Sequence, residues 1–362
     1  MTGAIVDRTF WSGKRVFLTG HTGFKGSWLS VWLASMGAQV TGFSLAPNTN
    51  PSLFEILEVE RQIKASIIGN ITHLDILNKA MQASAAEIVI HMAAQPLVRY
   101  SYANPLETYT TNVLGTAHVL EAVRQMSGVR AALVVTTDKC YENKERGEQF
   151  QESDALGGYD PYSSSKACAE LVTAAYRQSY FTSNQSNRGA AIATARAGNV
   201  IGGGDWSSDR LIPDAIRAFN QEEPVIIRNP QAIRPWQHVI EPLSGYLLLI
   251  ENLYRHGQQF ASAWNFGPHD SDTRSVSSVI ELMTKRWHSK ASWSVGDTTQ
   301  LHEAQLLRLD CRQARDRLNW HPHWSLEVAI EKIAEWHRSH YKHQDMLALS
   351  LAQIAQHQAH TG

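Results

Sequence analysis

From Arg15 onward the chain alternates short apolar, β-branched runs with longer stretches of helical period. Val16 to Thr19, Gln39 to Phe43, Ile63 to Ile68, Glu87 to Met92, Ala131 to Thr137 and Ala190 to Ala195 read as strands, and the segments between them read as helices. The strand runs are almost continuously apolar rather than alternating. Strands covered on both faces by helices have that composition, so the pattern predicts an α/β fold built on a doubly wound parallel sheet. After about residue 200 the rhythm breaks into IGGGDWSSDRLIPD and RNPQAIRPWQHV, richer in Gly, Pro, Asp, Arg and Trp. Such a stretch predicts a smaller, loop-rich C-terminal lobe laid over the carboxyl edge of the sheet, where substrate contacts are commonly supplied. The expected division is residues 1–200 for the sheet domain, with 236–266 returning to it, and 201–362 for the smaller substrate-binding lobe.

Composition narrows the partners. The 362 residues carry 33 basic and 34 acidic side chains, a net charge of -1, so no excess of positive charge is available for a nucleic acid or an anionic membrane. Asp7 and Arg8 stand where a signal peptide needs apolar residues, and runs such as Tyr246 to Ile250 are far too short to span a bilayer. A soluble, cytoplasmic protein is expected. Three cysteines, Cys140, Cys168 and Cys311, lack metal-ligand spacing and suit reduced thiols. The His-rich tail from His337 to Gly362 is read as ending in a helix, and its histidines lack orderly ligand spacing, so no metal is expected.

RVFLTGHTGFKGSWLSVWLASMG reads as strand, glycine turn and helix, the helix ending near Gly37. Gly20, Gly23 and Gly26 stand at GxxGxxG spacing: the first for a tight turn, the second for close approach of a pyrophosphate, the third for helix against strand. Trp28 and Trp32, four apart, read as core. The next strand ends at Ser44, where a dinucleotide-binding chain usually places an acid for the ribose hydroxyls. No Lys or Arg occurs between Gly26 and Glu60 to neutralise a 2′-phosphate, so NAD is favoured over NADP. Lys25, inside the turn, is the one residue that argues the other way.

The run LVVTTDKCY stops abruptly at Thr137, Asp138 and Lys139. Alone, an acid and a base at a strand's end are ordinary turn residues. Further on, in GGYDPYSSSKACAELV, Tyr162 and Lys166 stand four apart at the start of a helix and so on one face. A phenol of ordinary pKa near ~10 is a poor base, but an adjacent ammonium and a positive nicotinamide ring both favour the phenolate. Tyr162 can then take a proton from a substrate hydroxyl as its hydride leaves. In isolation the pair is commonplace; placed after the glycine turn it reads as catalytic.

TGHTGFKG at Thr19 to Gly26, HMAAQ at His91 to Gln95, TNVLGT at Thr111 to Thr116, TTDK at Thr136 to Lys139, YSSSK at Tyr162 to Lys166 and RAGNVIGGGDW at Arg196 to Trp206 together resemble the extended short-chain dehydrogenase/reductase superfamily. GHTGFKGSWL and TDKCYEN resemble most its nucleotide-sugar dehydratase branch acting on CDP-glucose. The resemblance implies a Rossmann domain binding NAD through Gly20, Thr22, Gly23, Phe24, Gly26, Ser44, Asn70, Ile71, Ala93, Ala94 and Gln95, with Tyr162 and Lys166. Ala93 and Ala94 would leave room for the nicotinamide ribose, Thr137 would bond the reacting sugar hydroxyl, and Asn199 and Arg234 would hold the substrate pyrophosphate. It also implies that the helices around Thr111 to Arg124 and Tyr162 to Tyr180 pair in a homodimer, or within a tetramer. Two departures stand out. Ser44 and Asn70 replace acids, so NAD is expected to be held loosely, and Lys139 stands where related dehydratases carry Glu.

An epimerase only oxidises carbon four and reduces it again, whereas a dehydratase must also remove a proton from carbon five and protonate the departing carbon-six hydroxyl. Asp138 as general acid meets one of those extra needs, and Lys139 meets the other either as the base at carbon five or as the cation that stabilises the enolate while another group takes that proton. The rival readings are a nucleotide-sugar epimerase or reductase of this fold, a dehydratase of another nucleotide-glucose, and an NAD-binding protein without activity.

Overall fold

The computed structural model describes residues 3–145, 147, 149–182, 189–287, 290–296 and 306–359. The last three residues of the His-rich tail lie outside them. Six strands follow one another with helices between: β1 (Arg15–Thr19), β2 (Gln39–Ser44), β3 (Ala65–Ile68), β4 (Ile88–His91), β5 (Ala131–Val135) and β6 (Ala191–Ala197). With β10 (Ala263–Phe266) they form one seven-stranded, wholly parallel sheet in the order β10-β6-β5-β4-β1-β2-β3. The doubly wound Rossmann sheet read from the apolar pattern is therefore present. Both faces are covered: Val16 and Leu18 pack into one core with Trp28 and Trp32, while Phe17 packs into another with Phe43 and Leu120.

Most strand limits fall within one or two residues of the expectation, and two of the differences have a local reason. Ile63 belongs to no strand; it follows the short helix Val59–Gln62 and fills the core, and β3 starts two residues later. β5 stops at Val135. The Thr136 N–H still donates to the Ala195 carbonyl at 2.8 Å, but Thr137 caps a single 3-10 turn, Asp138–Cys140, by accepting from Lys139 N–H at 3.4 Å. The acid and base thus sit on a turn just beyond the strand.

The remainder builds smaller sheets. β7 (Asn199–Ile201), β9 (Ile233–His238) and β11 (Thr273–Ser275) make a three-stranded sheet; β8 (Val225–Ile227) and β12 (Trp293–Val295) make a parallel pair. Helices Leu211–Asn220, Val276–Trp287 and Leu326–Tyr341 cover a third core of Ile216, Phe219, Trp236, Met283 and Ile330. Helix Ile240–His256 packs on β5 and β6 and leads to β10 in the large sheet. The last helix, Met346–Ala359, lies against helix Phe24–Ser35, and its buried His357 stands 3.1 Å from Glu241. No helix among the described residues is long and apolar enough to cross a membrane.

Candidate active site

A cavity of about 730 Å³ lies at the carboxyl ends of the parallel strands and is lined as well by residues of the segment 198–236. That is where a doubly wound sheet leaves its binding crevice. Its floor is the glycine turn. Gly20 has φ +81°, and a Cβ there would stand 2.7 Å from the backbone nitrogen of Ala93; one at Gly26 would stand 2.0 Å from the Gly20 carbonyl. These two glycines are demanded by the protein's own backbone. Gly23 is not: a Cβ would meet only the Gly20 carbonyl, at 3.5 Å, and the residue is exposed at the cavity wall. A glycine that the fold does not need, at the N-terminus of helix Phe24–Ser35, fits a phosphate group approaching the backbone.

Along the same wall lie Thr22, Phe24, Ser44, Asn70, Ile71, Ala93 and Ala94. Ser44 shares a hydrogen bond with Thr22 Oγ1 at 2.9 Å, and Asn70 Oδ1 accepts from Thr72 N–H at 3.0 Å, so both short side chains are already engaged. Gln95 is not brought to the cavity. Its side chain is buried among Leu97, Thr108 and the backbone, donating to Thr108 Oγ1 at 2.9 Å and accepting from Leu97 N–H at 2.6 Å. The resemblance implies that Gln95 contacts NAD; its side chain ties down the loop that follows β4.

Opposite the turn, helix Pro161–Tyr180 begins at Asp160, whose carboxylate accepts from Ser163 N–H at 2.9 Å, with Pro161 in the first turn. This cap sets the phase that places Tyr162 and Lys166 on the cavity side. Burial pushes the Tyr162 phenol up to about 12, opposed by its hydrogen bond with Thr137 and by nearby Arg210. Burial also pulls Lys166 down to about 8, against the charge of Glu170, and its ammonium donates to the Val135 carbonyl at 3.2 Å. Asp138 is 1% exposed; Oδ1 accepts from Thr137 Oγ1 at 3.1 Å, while Oδ2 has no hydrogen-bond partner among the described residues. A buried carboxylate oxygen without a partner is costly unless a ligand supplies one. Lys139 lines the same cavity and forms no ion pair among the described residues. Asn199 opens β7 opposite Trp236 of β9, Arg234 stands two residues before Trp236, and both Asn199 and Arg234 line the cavity.

The sequence pattern of the GDP-mannose 4,6-dehydratase family matches residues 17–333. The chain belongs to that family. A CDP-glucose 4,6-dehydratase from Salmonella typhimurium is 49% identical over 99% of this chain and 99% of its own length. A UDP-glucose 4-epimerase from Halalkalibacterium halodurans is 26% identical over 90% of this chain and 96% of its own. Among solved structures, dTDP-glucose 4,6-dehydratase from Bacillus anthracis in complex with NAD superposes with a TM-score of 0.73 at 19% identity, covering 92% of this chain and 100% of that one. UDP-glucuronic acid 4-epimerase from Bacillus cereus, with UDP-glucuronic acid and NAD, gives 0.77 at 20%, covering 90% and 99%. The family's extended short-chain dehydrogenase/reductase fold, inferred from the motifs, is the one observed.

In this family member the sequence reading passed over two cations. Lys25, weighed only against a 2′-phosphate, donates to Tyr246 Oη at 3.1 Å, and burial pulls it down to about 7, helped by the charges of Lys166 and Arg210. Arg210 reaches this point from the loop GGGDWSSDRL, held by Asp205 at 3.1 Å.

Proposed function

We propose that the chain is a nucleotide-sugar 4,6-dehydratase, a hydro-lyase converting CDP-glucose to CDP-4-keto-6-deoxyglucose with NAD in deoxysugar biosynthesis. The observation that carries this reading is Asp138 Oδ2, buried without a hydrogen-bond partner among the described residues, in a cavity that Thr137, Lys139 and Tyr162 also line. An epimerase has no step that uses it. The 49% identity over the full length to a CDP-glucose 4,6-dehydratase supports the choice of base and sugar. The residues of the floor fit NAD, which when bound supplies a hydride acceptor that is regenerated within each turnover.

Tyr162, assisted by the Lys166 ammonium and Thr137, takes the proton of the carbon-four hydroxyl. The resulting ketone acidifies the proton on carbon five, which Lys139 removes, while Asp138 donates a proton to the hydroxyl leaving carbon six. The unsaturated ketone becomes the 4-keto-6-deoxy product when carbon six receives the hydride and carbon five takes the proton back from Lys139, and the proton held by Tyr162 replaces the one Asp138 gave up. Asn199 and Arg234 hold the pyrophosphate. Gly20, Thr22, Gly23, Phe24, Gly26, Ser44, Asn70, Ile71, Ala93 and Ala94 surround the cofactor, whose adenosine half is held without a carboxylate. We also propose a cofactor domain, residues 1–200 with 236–266, and a substrate lobe from the rest of 201–362; Arg210 and Arg234 lining the cavity support the lobe's role, while helix Met346–Ala359 packs back on helix Phe24–Ser35 of the cofactor domain. Exposed Leu106, Leu114 and Leu171, on the helical stretch 105–125 and on helix Pro161–Tyr180, support a homodimer formed through those helices.

The test incubates purified protein with NAD and, separately, CDP-glucose, dTDP-glucose and GDP-mannose, and follows the near-ultraviolet absorbance of a keto sugar in alkali. Product from another nucleotide alone would overturn the base assignment, and an epimer without keto sugar would overturn dehydration. Lys139→Ala should lower product formation by about 10²–10⁴-fold while bound NADH still accumulates on mixing with substrate. Near-normal turnover by Lys139→Ala would make Lys139 a turn residue.

A further inference from the structure

Behind the catalytic turn lies a buried charge pair to which the reaction above gives no part. Glu170 stands one helical turn after Lys166 and is 3% exposed. Its carboxylate accepts from Thr136 Oγ1 at 2.5 Å, Thr194 Oγ1 at 2.6 Å and Arg196 Nη2 at 2.9 Å. Thr136 immediately precedes the turn Thr137–Lys139. Arg196, on β6, continues to Tyr141 Oη at 2.8 Å and lies over that ring, just past the turn's other end. The pair therefore grips the catalytic turn on both sides while facing Lys166 along its own helix.

We infer that Glu170 is a positioning residue for the oxidation step, bracing the Thr137–Lys139 turn and supplying the counter-charge that keeps the Lys166 ammonium protonated beside Tyr162. The inference rests on the dehydratase reading for the step affected, but its geometry is independent of the sugar. The groups that face Lys166 are Tyr162 and Glu170 from its own helix, Asp138 and Cys140 from the turn, Lys25 from the helix after the glycine turn and His91 from the end of β4. Lys25 opposes protonation of Lys166, and His91, buried and pulled down to about 3, brings no charge at neutral pH. Asp138, the other buried acid of the set, is the proton donor of the proposed reaction, which leaves Glu170 as the standing anion one helical turn from Lys166.

Two measurements test the inference. In single-turnover mixing with CDP-glucose, NADH formation should fall on the alkaline side as Lys166 loses its proton. Glu170→Gln should move that limb toward lower pH by roughly one unit. The double variant Glu170→Gln/Arg196→Met removes both members of the ion pair, so it separates loss of the Glu170 charge from the stranding of Arg196; a smaller shift in the same direction is expected. Competitive acetylation of Lys166, followed by mass spectrometry across the neutral to alkaline range, reads the same titration without substrate. If wild-type protein forms no NADH, the dehydratase reading falls while the labelling still decides the role of Glu170. A limb and a labelling curve that stay in place, with only the amplitude reduced, would make Glu170 a brace and nothing more.

Discussion

Glu170, under the active site, and Glu251, under the N-terminal segment, are both helix residues 3% exposed, yet their protonation is driven in opposite directions. Burial pushes each carboxylate up. At Glu170 this is outweighed by Arg196 and by the hydroxyls of Thr136 and Thr194, leaving the acid below its ordinary range. At Glu251 the partners are the Trp11 indole N–H at 2.8 Å and the Asp7 backbone N–H at 3.0 Å, with the half-exposed Arg255 no closer than 3.9 Å, and the acid is pushed up to about 7. Neutral donors offset part of the desolvation of a buried anion; a buried guanidinium in direct contact offsets all of it. One site is thereby committed to charge, and the other is left to titrate near neutrality.

The sharpest way to break this contrast is to strand the first carboxylate. Arg196→Met alone leaves Glu170 buried without its cation and should cost about 3–5 kcal/mol in urea unfolding. A loss below about 1 kcal/mol would mean that the hydroxyls suffice. Glu251→Gln probes the other side. The folded pKa of Glu251 lies above the unfolded 4.5, so its stabilising protonation is complete below that value, fades as pH rises and is gone above about 7. The amide variant should therefore match wild type in acid and exceed it at mildly alkaline pH, by up to about 3 kcal/mol. Unfolding curves on both sides of neutrality check this, and parallel curves for the two proteins would refute it.

The smallest effect belongs at the mouth of the cavity, where Asp209 meets Arg99 at 3.5 Å and Arg228 at 3.0 Å with all three side chains a third or more exposed. Water already solvates these charges. Asp209→Asn keeps the left-handed backbone there, φ +58°, and should change stability by less than about 1 kcal/mol, with little dependence on salt. A larger loss would show that exposure is not what separates this cluster from Glu170 and Arg196.

Much of this was legible in the chain because it depends on neighbours close in sequence. Periodicity announced the parallel sheet, glycine spacing the phosphate turn, and a four-residue interval the shared face of Tyr162 and Lys166. Gln95 shows the limit: its place after β4 was right, but the direction of its side chain was set by Thr108 and Leu97 once the loop had closed. Lys25 and Arg210 show the converse, since they meet near Tyr162 from segments that lie far apart in the sequence.

By itself the sequence determined the α/β class, the glycine turn and the shared helix face of Tyr162 and Lys166, because local sterics, hydrophobic period and residue spacing are carried by residues close together in the chain. Only the tertiary structure decided which carboxylates are charged. Glu170 and Glu251 are the same residue with the same burial, and what separates them is a guanidinium brought by β6 to one and not to the other. Coulomb interaction and desolvation act through space, so that difference exists only once distant segments have packed.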